Sequence, residues 1–262
     1  MGIHQTIFMI RISTGKQGSG KTLCEVRSIK LNMDQRKTYS NIKTKIKHCI
    51  PIKASMIAQK VYHDKKDKTK FDLKVNLDYW KKINESINIV LDEAHNLIDS
   101  RRSMTKVNKV TTDWIALLRR ILGESSEGYG ELVMITQLPE NLDLRARELC
   151  TEVRHHVMEW TKYCPKCNLR WIEDSEMSKQ SERTRHMPDQ QYVTCPRCDN
   201  WKLKKCDYIV HRWFFESYND YDIWKTTGQE TFYDYFPIRN IEKYFGLYDT
   251  FQISDMISEL YD

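Results

Sequence analysis

Three short apolar runs punctuate the chain, and each is closed by polar residues with a chemical use. Ile7-Phe8-Met9-Ile10-Arg11-Ile12 leads into a glycine-rich stretch, Ile87-Asn88-Ile89-Val90-Leu91 ends in Asp92-Glu93, and Leu132-Val133-Met134-Ile135 ends in Thr136-Gln137. Near-continuous runs of this length predict strands buried on both faces, as in a parallel sheet. Between them, Thr22 to Met33 has helical character. Thr112 to Leu122 carries an apolar stripe of Trp114, Leu117, Leu118, Ile121 and Leu122. Arg36 to Ile42 reads as a short second strand, and Leu142 to Leu149 as a helix after the break at Leu138-Pro139. From Lys43 to Lys82 lysines dominate; Ile52, Met56, Ile57 and Val61 stand at loose helical spacing, and His63 to Lys70 reads as an exposed loop. Glu152 to Tyr163 and Cys206 to Phe215 predict two further extended segments, and Asp255 to Leu260 a last helix. Strands alternating with crossover helices specify an α/β sheet.

The glycine-rich stretch is Gly15-Lys16-Gln17-Gly18-Ser19-Gly20-Lys21-Thr22, which fills every fixed position of G-x-x-x-x-G-K-[ST]. Strand before and helix after is the context a phosphate-binding loop requires. Glycines let successive backbone N–H groups turn toward one centre, and the helix start adds its positive end. Lys21 would reach the β- and γ-phosphates, and Thr22 would offer its hydroxyl to Mg²⁺. A nucleoside triphosphate, ATP with Mg²⁺, is the ligand this loop predicts.

The two other strand ends supply what the loop lacks. Asp92 fits an acidic partner for Mg²⁺, and Glu93 could polarise a water behind the γ-phosphate and accept its proton. Gln137 could orient that water or simply face solvent; the residues alone leave both open.

The chain has eight cysteines, four of them in Cys164-Pro165-Lys166-Cys167 and Cys195-Pro196-Arg197-Cys198, with 27 residues between the pairs. Paired C-x-x-C turns place four thiolates for one tetrahedral Zn²⁺, a closed and non-catalytic site. Lys162, Lys166, Arg170, Arg183, Arg185 and Arg197 surround the pairs, with Trp171 and Trp201. Such a module could grip nucleic acid or dock on protein, and both remain open here. His186 is a spare ligand. The resulting division is residues 1–160 as an ATPase core, 161–205 as a zinc-ribbon-like insert, and 206–262 as a segment completing the core.

Composition bounds this picture without redrawing it. With 262 residues, 40% hydrophobic and 30% charged, the chain can bury a sizeable core. No stretch approaches the ~20 apolar residues of a membrane helix, and no signal-peptide pattern opens the chain; a cytoplasmic place is expected. The net charge of +6 is uneven, since ten acids face three bases from Phe214 onward and the first 213 residues carry +13. A basic body is consistent with a polyanionic partner.

The ordered set of phosphate loop, Thr38-Tyr39-Ser40-Asn41 strand, Asp92-Glu93-Ala94-His95 and Thr136-Gln137 resembles P-loop ATPases with an additional strand and a catalytic glutamate. Within them it is most similar to the FtsK/HerA group, and there to the zonular-occludens-toxin-like (Zot-like) ATPases of phages and archaeal viruses. Leu142 to Arg147 and Tyr248-Asp249-Thr250-Phe251 look similar to that family as well. The resemblance implies an oligomeric ring that moves double-stranded DNA, such as a viral genome-packaging motor in host cytoplasm or on a virion, with capsid protein as a further partner. It also implies an arginine donated by a neighbouring subunit: Arg147 first, Arg145 second, with Arg101, Arg102, Arg119 and Arg120 as rivals. A nucleotide-switched assembly protein, or a partition or secretion ATPase, is the alternative. His95 reads as an ordinary turn residue.

Overall fold

The apolar runs form the centre of a nine-stranded mixed sheet in the computed structural model, which describes residues 8–64, 69–83, 85–102, 104–123, 130–172, 194–195, 197–239 and 241–249. The elements in chain order are β1 (Met9–Thr14), α1 (Lys21–Asn32), β2 (Lys37–Ser40), β3 (Cys49–Pro51), α2 (Ala54–Ile57), β4 (Ala58–Tyr62), β5 (Phe71–Val75), α3 (Leu77–Trp80) and β6 (Ile87–Leu91). They continue with α4 (Lys106–Gly123), β7 (Glu131–Ile135), α5 (Leu144–Glu148), β8 (Glu152–Tyr163), β9 (Arg170–Ile172), β10 (Lys204–Phe215), α6 (Tyr218–Thr227), β11 (Tyr233–Ile238) and α7 (Glu242–Phe245).

Strand order is β11-β10-β8-β1-β7-β6-β2-β3, with β9 on β8. From β8 to β3 all pairings are parallel, while β10, β11 and β9 are antiparallel additions. The strand that ends in Asp92 is therefore not the neighbour of β1. β7 lies between them.

Both faces of the central strands are buried, and their side chains alternate between two clusters. Ile10 and Ile12, Ile87, Ile89 and Leu91, and Leu132 and Met134 point to the face covered by α4 through Trp114, Ile115 and Leu118. Val90, Val133 and Ile135 point to the opposite face, where α1 brings Val26 and Ile29. A period of two, with no polar face to spend on solvent, gives the near-continuous runs seen in the sequence. Polar residues interrupt the α1 side at Arg11, Ser13 and Asn88. Arg11 is buried and ion-paired to Glu25 of α1 at 2.9 Å and to Glu131 at 3.4 Å. Burial drives the Glu25 carboxyl up, and the facing guanidinium opposes that shift.

Several element bounds differ from the sequence expectation. α4 begins six residues before Thr112, because Thr111 and Thr112 return their hydroxyls to the carbonyls of Val107 and Asn108 and so sit inside the helix. The helix expected over Leu142–Leu149 shortens to Leu144–Glu148, capped by Asp143, whose side chain accepts from the Arg145 N–H. The helical spacing between Ile52 and Val61 is broken: α2 is a single turn and the chain then forms the β4–β5 hairpin, with Val61 paired to Asp72. A helix cannot continue where Ala58 is already extended, at φ −138 and ψ 155. Expectations for His186, Arg183, Arg185, residues 65–68 of the His63–Lys70 stretch, Thr250-Phe251 and Asp255–Leu260 fall outside the described residues.

Candidate functional site

The three polar strand ends meet on one edge of the sheet. After β1 the chain turns through Gly15, Gly18 and Gly20, all at positive φ. Gly15, at φ 138, allows no other residue, since a Cβ there would stand 2.3 Å from the His156 carbonyl oxygen of β8. The loop is thus pressed against β8 on one side and opens onto α1 on the other. Lys21 is buried and its ammonium donates to the carbonyls of Gly15 at 2.7 Å and Lys16 at 2.9 Å. Desolvation lowers its pKa, with Glu93 and Asp92 opposing the shift. Among the described residues no carboxylate bonds it directly, so the cation is held by neutral groups at the centre of the loop, an arrangement suited to an anion.

Thr22 donates its hydroxyl to Asp92 at 3.1 Å. Burial, then the adjacent Glu93, raises the Asp92 carboxyl to about 6. Glu93 lies in the left-handed region, φ 48 and ψ 46, which for a residue with a Cβ is a strain held by its surroundings. Gln137 is half-buried and donates to Glu93 at 3.2 Å. A cavity of about 330 Å³ opens beside this pair, lined by Glu93, His95, Asn96, Gln137, Leu138 and Asn141.

Three contributors escaped sequence reasoning. Asn41 grips Asp92 through both amide atoms, accepting from its N–H at 2.7 Å and donating to its carbonyl at 2.8 Å. Its only sequence signal was its place at the end of the short second strand. His95 lies near the same acid: its Nδ1 is 3.3 Å from the Thr136 hydroxyl and 3.4 Å from the second oxygen of Glu93, which has no hydrogen-bond partner. His156 backs the loop from β8, where burial lowers its pKa to about 3 and keeps it neutral. Nothing in its sequence context marks it.

The zonular occludens toxin (Zot) family profile matches residues 9–162, more than half of the chain. The chain belongs to the Zot family. Among solved structures it is similar to the N-terminal domain of zonular occludens toxin from Neisseria meningitidis, at 18% identity and TM-score 0.47 over 93% of this chain and 100% of that one. It is also similar to the genome packaging NTPase B204 from Sulfolobus turreted icosahedral virus 2 in complex with ATP-gammaS, at 14% identity and TM-score 0.37 over 81% and 94% of the two chains. The DNA-packaging ATPase B204 from Sulfolobus turreted icosahedral virus matches at 13% identity and TM-score 0.36, over 87% and 96%. No curated protein matches.

The candidate arginines of this Zot chain separate clearly. The Arg147 guanidinium packs 4.9 Å from the Tyr218 ring centroid, with its Nε buried and without a hydrogen-bond partner. Arg145 is exposed. Arg101 and Arg102 flank Asp99, and Arg119 and Arg120 are exposed on α4.

The cysteine pairs stand at the end of a long arm. β8 pairs with β1 only as far as His155, opposite Thr14, and its last eight residues run on beyond the sheet centre with β10 alongside. At ~3.3 Å per residue that carries the chain roughly 26 Å past the end of β1. There the sulfurs of Cys164, Cys167, Cys195 and Cys198 all lie within 4.8 Å of one another. The Cys164–Cys198 and Cys167–Cys195 separations are 3.6 and 3.5 Å, close to the ~3.8 Å edge of a tetrahedron with 2.3 Å metal–sulfur bonds. The two turns repeat each other: Asn168 and Asp199, each just after the second cysteine, are left-handed at φ 58 and 54, and each donates its N–H to the first cysteine's carbonyl. Burial would raise the Cys164 thiol, but bonds from Asn200 and the backbone of Cys167 and Lys166 outweigh it and lower it, while Cys167 and Cys198 beside it are raised. The four residues fit a metal ion. The family match ends at residue 162, just before this tip.

Proposed function

We propose that the chain is an ATP hydrolase that moves double-stranded DNA, a genome-packaging motor working as an oligomeric ring. The observation that carries the reading is the single network at the strand ends: Thr22 on Asp92, and Gln137 on Glu93. The loop amides and Lys21 would hold the triphosphate, with Gly15, Lys16, Gln17, Gly18, Ser19 and Gly20 curled around it. Thr22 and Asp92 would hold Mg²⁺, which neutralises phosphate charge when bound. Asp92 must be ionised for that, so magnesium affinity falls as pH drops below about 6. Glu93 takes the proton of the attacking water; Gln137 holds its Oε1, and its Oε2, buried without a hydrogen-bond partner, is left for the water. Asn41 positions the turn that carries both acids. The developing charge would be met by an arginine from the next subunit; Arg145, being exposed, is favoured over the packed Arg147. The four cysteines would take one Zn²⁺ as a structural staple, in a tip that could meet DNA or capsid protein.

Among the described residues no helix is long and apolar enough to cross a membrane. The basic first 213 residues suit a polyanion. ATP turnover measured with and without double-stranded DNA tests the reading: stimulation is expected. Hydrolysis indifferent to DNA would turn the assignment toward an assembly or partition ATPase.

A further inference from the structure

The zinc-ribbon-like tip carries a pattern of charge that the staple role leaves unused. The two turns have the same sequence form, cysteine, proline, base, cysteine, and the same backbone course. Lys166 and Arg197 therefore occupy equivalent positions on either side of the sulfur cluster, and both are exposed. Cys164 and Cys195 beneath them are fully buried. Residues 162–172 and 194–207 contain seven bases and only two acids. One of those acids, Asp207, is engaged by Arg170 at 3.0 Å. A divalent ion with four thiolates carries a charge of −2, which offsets only part of that surplus. The sequence between the turns, 173–193, has three bases against five acids, so the positive charge belongs to the turns themselves. Beside them Trp201 is 60% exposed, with the Lys202 ammonium 5.1 Å from its ring centroid, and Lys204 is exposed two residues on.

We infer that this tip is a contact surface for the phosphate backbone of duplex DNA, with Lys166 and Arg197 as a symmetric pair of phosphate ligands and Lys202 and Lys204 extending the track. The arm leaves the sheet on the edge where the phosphate loop lies, so the contact would be made on the side where hydrolysis occurs. Backbone contacts of this kind position a duplex without reading its sequence, as a motor running over any sequence requires. An arginine fork and a lysine point charge both suit phosphate oxygens. The inference rests on the proposed motor only for the identity of the polymer.

The test uses the full chain loaded with zinc and a short fluorescent duplex of mixed sequence, followed by anisotropy over a KCl series without nucleotide. Lys166→Gln with Arg197→Gln should weaken binding about 10-fold near 0.1 M KCl and make the slope of log K against log [KCl] shallower by about 2. Zinc content and basal ATP turnover should not change. Equal slopes for variant and wild type, with zinc retained, would overturn the inference. So would failure of the wild type to bind duplex at low salt, or tighter competition by poly-glutamate than by DNA of equal charge, which would mark an acidic protein as the partner. Should the double variant lose its zinc, Lys202→Gln with Lys204→Gln, outside the cysteine turns, must lower the slope by a similar amount. A lowered slope in a protein whose ATPase ignores DNA would sink the motor and keep the tip. DNA-stimulated turnover with equal slopes would do the reverse.

Discussion

The parallel centre of the sheet and the antiparallel arm that leaves it are held together in opposite ways. β1, β7 and β6 are buried on both faces, and their order comes from packing against α1 and α4. The outer half of β8–β10 rests its base, Met158, Tyr208 and Val210, on Leu23 and Cys24 of α1; farther out it is held by its own ladder and by β9, with the four sulfurs at the end. The centre can therefore aim side chains from three strands at one point, because each strand end is fixed by a packed layer behind it. The arm carries a charged tip outward beyond its packed base, where a metal on the four sulfurs would supply the cross-link. Catalytic geometry and reach are assigned to different parts of one sheet.

Substitutions should separate the two regions. Glu93→Gln should lower ATP turnover by at least about 100-fold while nucleotide affinity, read by titration with a fluorescent analogue, stays as in the wild type. Normal hydrolysis by that variant would dissolve the proposed chemistry. Cys164→Ser with Cys195→Ser should remove about one zinc per chain, measured by metal analysis. Amide exchange should then speed up in the arm while β1, β6 and β7 keep their protection. If the central strands lost protection too, the two regions would not be independent.

Within the centre, Asn41→Ala strips Asp92 of two backbone bonds and should cost about 1–3 kcal/mol in denaturant unfolding, with turnover falling alongside. The smallest effect concerns Asp92 itself. Its pKa is raised to about 6, so the folded protein holds that proton more tightly than the unfolded chain. The stability from this group is full below the ordinary carboxylate pKa and is lost as pH rises through about 6. Asp92→Asn should therefore raise the Tm of the magnesium-free protein by a few degrees at about pH 8 and change little near pH 4. A variant equally stabilised at both pH values would place the carboxylate in water.

Much of the centre was legible because its signals are local. A buried strand has to be apolar throughout, a tight phosphate loop has to have glycine at Gly15, and a chelating turn has to space its cysteines by two. What escaped depends on partners far along the chain. Val61 reads as part of a helical pattern until Asp72 pairs with it across a hairpin. Asn41 and His95 are unremarkable polar residues until Asp92 and Glu93 are brought beside them. Arg147 looks as available as Arg145, and only the fold packs it half-buried against the Tyr218 ring.

By itself, then, the sequence determined the phosphate loop, the two acids and the glutamine at strand ends, and the paired cysteine turns, since each is fixed by residue type and short-range spacing. Strand order, the amide grip of Asn41 on Asp92, the contact of His95 with Glu93, and the projection of the cysteine tip past the loop were decided only in three dimensions. The physical reason is that these depend on which strand lies beside which, a choice made by burial over the whole sheet rather than by any one segment.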